Sequence, residues 1–299
     1  MRISERQRYK TTTNRVDRAR QSNVDSLEKI STLKRINKLS DDPIGAGRVI
    51  RGRDRLEGIE QFRRNVDFSR GFLDKTENAV QSIGENLMRA KELAVGLANS
   101  TYDDKSREAT SREVRQIMSE VVKLANTSYA NRFVFSGFRT ATPAMSDEGK
   151  YLGDDGTILV QVDDGDFRQM NIQSRYLFEA DTNEKEKGHF NMVDSLQMLF
   201  EGLTGNDVDE IRRALDELDH QLQKTTSYQA NIGALAKALE SGGKKLEGES
   251  IQIQTQLSQI EDVDMFTASS DFHRSESILQ STLLASNKML QPSLLNFMQ

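Results

Sequence analysis

Apolar residues recur at seven-residue steps over much of the chain. Ile59, Val66, Leu73, Val80, Leu87 and Ala94 form one row, and Phe62, Ile83, Ala90 and Leu97 form a companion row whose remaining places hold Ser69 and Thr76. Two rows offset by three and four residues share one face of an α-helix, so residues 44–99 read as one long helix. The polar members of the companion row predict a bundle rather than a strict two-stranded zipper. Ser40, Asp41 and Asp42 followed by Pro43 supply a cap, acidic groups and a first-turn proline at the helix start. Residues 99–105 read as a turn, after which Val114, Ile117, Val121, Leu124 and Ser128 keep the spacing and complete a helical hairpin. Ile211, Leu218, Thr225, Ile232 and Leu239, with Leu215, Leu222 and Ala236 beside them, predict a third long helix. Ser241, Gly242 and Gly243 interrupt it as either a stop or a tolerated kink, and Leu246, Ile253, Leu257 and Ile260 then resume the seam.

Between residues 138 and 190 the period changes. Ile158, Val160 and Val162 alternate, Asp163 to Gly165 supply a hairpin turn, and residues 167–172 read as the returning strand. Near the two ends the stripes are narrower: Val16, Leu27, Ile30 and Leu33 at the start, and Phe272, Leu279, Leu283 and Leu290 at the finish. Neither stripe supports an isolated helix in water, so both termini are expected to order against each other or against neighbouring subunits.

Composition supports extended helices. The chain is 36% hydrophobic and 6% aromatic, with no Trp, three prolines and a mean hydropathy of -0.64, so a broad catalytic cleft is not expected. No apolar run approaches the ~20 residues that cross a bilayer. The first ten residues lack the apolar core of a cleavable signal, so export, if any, is expected to bypass that route. Absence of cysteine excludes a disulfide framework and thiolate metal sites. Residues 1–72 carry 18 Lys and Arg against 10 Asp and Glu, whereas 191–299 carry 8 against 16. Two ends of equal and opposite charge predict that they pair.

Candidate chemistry is sparse. Carboxylates concentrate at Asp154 and Asp155, next to Gly156, and again at Asp163, Asp164 and Asp166 around Gly165, but neither run has the alternating ligands and closing Glu of a calcium loop. Both read as Asp-Gly hairpin turns. His189, His220 and His273 fit no zinc spacing and read as solvated positions. No metal or other cofactor is expected. Nucleophile elbows, phosphate loops and dinucleotide fingerprints are missing, so the chain reads as a non-enzyme. Gly45 and Gly47 lie just inside a helix start, where close helix packing is preferred over anion binding. Arg48, Arg51, Arg53 and Arg55 form a basic cluster without aromatic neighbours for base stacking, leaving a nucleic-acid-binding coiled coil as a remote alternative. Phe133, Phe135 and Phe138 read as a buried joint.

Three stretches then stand out together. ISTLKRINKLSDDP at 30–43 contains Arg35, Ile36, Asn37, Ser40, Asp41, Asp42 and Pro43; NRFVFSG at 131–137 contains Asn131, Arg132, Phe133, Phe135 and Gly137; and residues 283–298 form the last apolar segment. In this order they resemble the motifs of the bacterial flagellin superfamily. Within it the SDDP cap, the short insert and the SLLNF tail are more similar to the hook-filament junction branch, with filament flagellin as the alternative. Leu33 stands where the superfamily usually has Gly, so the break after the first helix is expected to be shifted or softened.

The resemblance implies a mainly α fold: a long coiled-coil-like, flagellin-like bundle with a small β-rich insert and terminal helices that pair on assembly. It divides the chain into an N-terminal assembly helix and connector (1–43), a first helical core (44–137), an outer insert (138–190), a second helical core (191–265) and a C-terminal assembly helix (266–299). Val16, Leu27, Ile30, Leu33, Leu279, Leu283, Leu290, Leu294, Leu295 and Phe297 become the expected assembly interface. Implied partners are further copies in a tubular ring, the other junction protein FlgK, flagellin and the export chaperone FlgN, with no nucleic acid and no membrane span. The implied location is the extracellular flagellum, reached without a cleaved signal peptide.

Overall fold

The computed structural model describes the backbone of residues 2–98 and 104–295 and the side chains of 6–98 and 105–288. Its helices are α1 (Arg2–Thr32), α2 (Pro43–Leu97), α3 (Asp104–Ala125), α4 (Arg175–Phe178), α5 (Thr182–Glu186), α6 (Met192–Thr204), α7 (Val208–Glu261) and α8 (Met265–Leu295). Two antiparallel pairs interrupt them: β1 (Ser128–Tyr129) with β2 (Arg132–Phe133), and β3 (Leu159–Asp163) with β4 (Asp166–Gln169). The fold is mainly α, and none of the described helices is long and apolar enough to cross a membrane. Compactness divides the chain into one unit of Met1–Gly58 with Gly248–Gln299 and another of Ile59–Glu247, with both divisions inside long helices. The sequence divisions at 43/44 and 265/266 fall where helices start or end.

In the second unit the seven-residue rows form the core. Ile59, Val66, Leu73, Val80, Leu87 and Ala94 are all buried, as are Phe62, Ile83, Ala90 and Leu97. The polar places in that row are buried too, because each hydroxyl bonds its own helix: Ser69 Oγ donates to the Asn65 carbonyl and Thr76 Oγ1 to that of Phe72, both at 2.8 Å. Val114, Ile117 and Val121 of α3 and Ile211, Leu218, Thr225, Ile232 and Leu239 of α7 are likewise buried. Asn99 to Asp103, most of the expected turn, lie outside the described residues.

Several expectations for this unit need correction. α3 ends at Ala125, and Ser128 is exposed in β1 rather than on the seam. Asn126 draws the chain away by bonding both the N–H and the carbonyl of Met145 at 2.9 Å. The second buried row of α7 is Ala214, Gln221 and Tyr228, one place before the expected Leu215 and Leu222, because residues 172–190 dock on that side. Of the two readings left open at Ser241, Gly242 and Gly243, the stop is excluded: α7 continues through them, and Gly243 faces Val66 closely. Lastly, Phe138 is exposed, while Phe135 is buried edge-on against Phe178 at 5.3 Å.

The expected β hairpin is present, with Val160 opposite Arg168, Gln161 opposite Phe167 and a register shift before Asp163. Gly165, at φ +74, turns it. The earlier run at Asp154 is not a hairpin turn. Asp154 Oδ1 instead accepts the N–H groups of Phe138 (2.7 Å) and Gly156 (2.9 Å), and Asp155 pairs with Arg175 at 3.1 Å. A side chain at Gly137, φ +66, would collide with Asp154. The β1–β2 loop consists of Ala130 and Asn131 with φ of 48 and 62, the left-handed pair that a two-residue hairpin turn demands. Asn, with its short polar side chain, is among the residues that visit this backbone region most readily. Thus Asn131 and Gly137 of the motif are turn residues and Phe135 is a core residue.

Candidate assembly site

In the first unit α1 packs along α8. The shielded positions of α1 include Thr12, Val16, Ala19, Asn23, Ser26 and Ile30, at alternating steps of four and three. Ala268, Phe272, Ser275, Leu279, Thr282 and Ser286 follow the same rhythm on α8. This is a heptad seam built mostly of small and hydroxyl side chains. Asn23 Nδ2 donates across it to Ser275 Oγ at 3.2 Å.

Of the expected interface residues, Val16, Ile30 and Leu279 join this seam. Leu27, Leu33 and Leu283 do not: each is about half exposed, as are Val24 and Ile278, and Leu284 is more exposed still. The side chains of Leu290, Leu294 and Leu295, and Phe297 altogether, lie outside the described residues. The sequence reading weighted large apolar residues and therefore missed Ala19, Asn23, Ser275 and Thr282. Their signal was the unbroken spacing, carried by small residues.

The expected softening of the break near Leu33 is not what the structure shows. α1 stops at Thr32, and Leu33 takes the left-handed conformation, φ 59, that normally follows a helix end. A branched side chain there costs roughly 1–2 kcal/mol. What holds it is a short antiparallel pairing with the end of α7: the Val263 N–H donates to the Leu33 carbonyl (3.1 Å) and the Arg35 N–H to the Glu261 carbonyl (2.6 Å). The Glu261 side chain is 6% exposed and is shared by Lys34 and Arg53, the latter at 2.5 Å.

Residues 34–43 are therefore a clasp. Arg35 Nη2 donates to the Ile260 carbonyl at 2.8 Å and lies 3.4 Å from Asp42. Asp41 Oδ2 accepts the N–H groups of Asn37 and Lys38 at 3.0 and 2.9 Å, and Asp42 Oδ1 caps α2 through the Gly45 N–H at 2.9 Å. Hydrogen bonds to Lys38 and Gly45 hold the two carboxyls below the ordinary carboxylate range. Ile36 is buried above Gly45, where an added Cβ would meet both Asp42 and Ile36 closer than 3 Å. Gly45 serves close packing, and its amide is already occupied. Asp264 caps α8 by accepting the Thr267 N–H at 3.0 Å.

The expected charge pairing is realised at a different place. Among the described side chains no ion pair joins α1 to α8. The basic cluster of α2 meets the acidic end of α7 instead: Arg53 binds Glu261, and Arg55 forks onto both oxygens of Glu249 at 2.7 and 3.0 Å. Two of the four arginines of this basic cluster are thus engaged within the chain. Arg48 and Arg51 line an open cleft with Ile253, Leu257 and Ile260.

With this geometry in view, the chain can be set beside known proteins. The bacterial flagellin N-terminal helical region matches residues 3–140 and the bacterial flagellin C-terminal helical region matches residues 215–298. Flagellar hook-associated protein 3 of Escherichia coli is 26% identical over 280 residues, covering 88% of each chain. A flagellin of Halalkalibacterium halodurans is 25% identical over 260 residues, covering 86% of this chain and 84% of its own. The solved structure of FlgL from Bacillus cereus shares the fold, with a TM-score of 0.59 at 22% identity over 70% of this chain and 99% of that one. The matched regions contain the α1–α8 pair, the clasp, nearly all of the long helices and the β1–β2 hairpin, and omit β3, β4, α4, α5 and α6: the chain belongs to the bacterial flagellin family.

Proposed function

We propose that this chain is a structural subunit of the hook-filament junction. Its copies form a short tubular ring that adapts the hook to the filament and permits filament growth. The observation that carries this reading is the match to a hook-associated protein 3 across 88% of both chains. The terminal pair supports it physically, since Val24, Leu27, Ile278, Leu283 and Leu284 leave apolar surface that a single subunit does not bury. The family is one of flagellar structural proteins, so the role is assembly rather than catalysis. On this reading the partners are the second junction protein FlgK on the hook side, flagellin on the other and the chaperone FlgN before export, and the mature location is extracellular.

Filament flagellin is the second reading, favoured by the flagellin match of almost equal identity. Electron microscopy of flagella carrying an epitope-labelled chain separates the two. A single band at the hook-filament joint supports the junction role, and label along the filament overturns it.

A further inference from the structure

Residues 179–191 are tied to one stripe of α7. Gln221 Nε2 donates to the Phe190 carbonyl at 2.9 Å, and Lys224 Nζ donates to the Glu179 carbonyl at 2.9 Å and Glu184 Oε2 at 3.0 Å. At the centre, the rings of His189 and His220 stack with centroids 3.9 Å apart and planes 5° from parallel. His189 Nδ1 donates to Glu217 Oε1 at 2.9 Å, and the second oxygen of this buried carboxylate accepts the Phe190 N–H at 3.1 Å. His220 Nε2 faces Glu184 Oε1 at 3.5 Å, while its Nδ1 is buried with no hydrogen-bond partner.

Two imidazoles and a carboxylate, with ligand atoms within 4.8 Å, are also the donor types of a zinc site. A ligated metal lies in the plane of each imidazole, however, and two rings stacked nearly parallel share no such point within reach. The arrangement instead makes a second proton on His220 unfavourable. A second proton on His220 falls on Nδ1, where no acceptor waits. The resulting cation faces the ring of His189 and the Lys224 ammonium, which already occupies Glu184. The charged groups facing the pair are Glu184 from α5 and Glu217 and Lys224 from α7.

We propose that His220 is an acid-sensitive latch: while neutral it lets residues 179–191 close on α7, and its protonation releases them. Burial first, and then neighbouring His189, push its pKa below the ordinary 6.5. The closed segment therefore binds this proton less well than the open one. Its contribution to closure is present above the ordinary value and is lost as pH falls through the lowered one.

Hydrogen exchange of the whole chain at about pH 7.5 and about pH 5, corrected for intrinsic rates, tests this. Protection at residues 180–191 is expected to fall severalfold from the higher to the lower pH, with amides around Leu87 unchanged. His220→Gln, or His220→Asn should the first variant pack poorly, is expected to abolish that pH dependence. In parallel, proton–nitrogen correlation spectra of the wild type are expected to show a neutral His220 carrying its proton on Nε2 at about pH 6.5. A protonated His220 under those conditions, an unchanged pH dependence in both variants, or protection of the segment by stoichiometric zinc would overturn the proposal.

Discussion

Two heptad seams in this chain have the same rhythm and opposite compositions. Along α2 and α7 the buried places hold Leu73, Val80, Leu87, Leu218 and Ile232, so a large apolar area leaves water inside one chain. Along α1 and α8 most of the corresponding places hold small or polar residues such as Thr12, Ala19, Ser26, Ser275 and Thr282, beside only Val16, Ile30, Phe272 and Leu279, while Val24, Leu27, Ile278, Leu283 and Leu284 stay exposed. Periodicity alone thus locates a helix face. Side-chain size on that face tells how much apolar area the helix buries within its own chain and how much it leaves exposed.

The largest test of this contrast is Leu87→Asp or Leu218→Asp, each of which puts an unpaired charge at a fully buried place. Either is expected to remove at least about 3 kcal/mol, read as a lower urea midpoint. Ser26→Ala in the terminal seam is expected to change stability by no more than about 0.5 kcal/mol. Equal losses in the two seams would erase the distinction. Somewhat smaller is Phe178→Ala, expected to remove about 3 kcal/mol because the ring is buried against Phe135 and Tyr151. A wild-type melting curve for that variant would show that residues 172–190 contribute nothing to the unit on which they dock.

The long helices were legible because Ile59, Leu73, Val80 and Leu87 repeat with large side chains that no other structure explains. The cap at Asp42 and Pro43 was legible because its chemistry is local. Elements whose order depends on a distant partner were not. α6 passed unnoticed between stronger signals although Leu196, Leu199 and Leu203 are buried on one side. Gln221 and Tyr228 are buried only because residues 172–190 cover them, and His189 and His220 reveal their stack only in three dimensions. Charge asymmetry correctly implied pairing between the ends but gave no address, and the structure uses it at Glu249 and Glu261. At Leu33 the departure from the usual Gly suggested a changed break, whereas pairing to Val263 keeps the break in place at the expense of strain.

That strain gives a smaller test. Leu33→Gly is expected to stabilise the first unit by about 1 kcal/mol, because Gly adopts φ 59 without penalty. The readout is slower amide exchange at the end of α1, and faster exchange would show that the leucine side chain holds the clasp. The smallest expected effect is acid sensitivity of the clasp. Asp41, Asp42 and Asp264 have lowered pKa values, chiefly from backbone N–H groups of Lys38, Gly45 and Thr267. Their contribution is present above the ordinary 3.8 and is lost as pH falls through the lowered values. Exchange at residues 34–45 is expected to accelerate only in that acidic range, and loss of protection already near neutrality would point to other groups.

The most direct measurement of the assembly role is the fate of a chain truncated before Leu283. The account predicts a helical body that melts like the full chain, protein released into the medium, and cells without filaments. Normal filaments on cells that make only the truncated chain would contradict it, because the exposed residues of the terminal helix would then play no part in assembly.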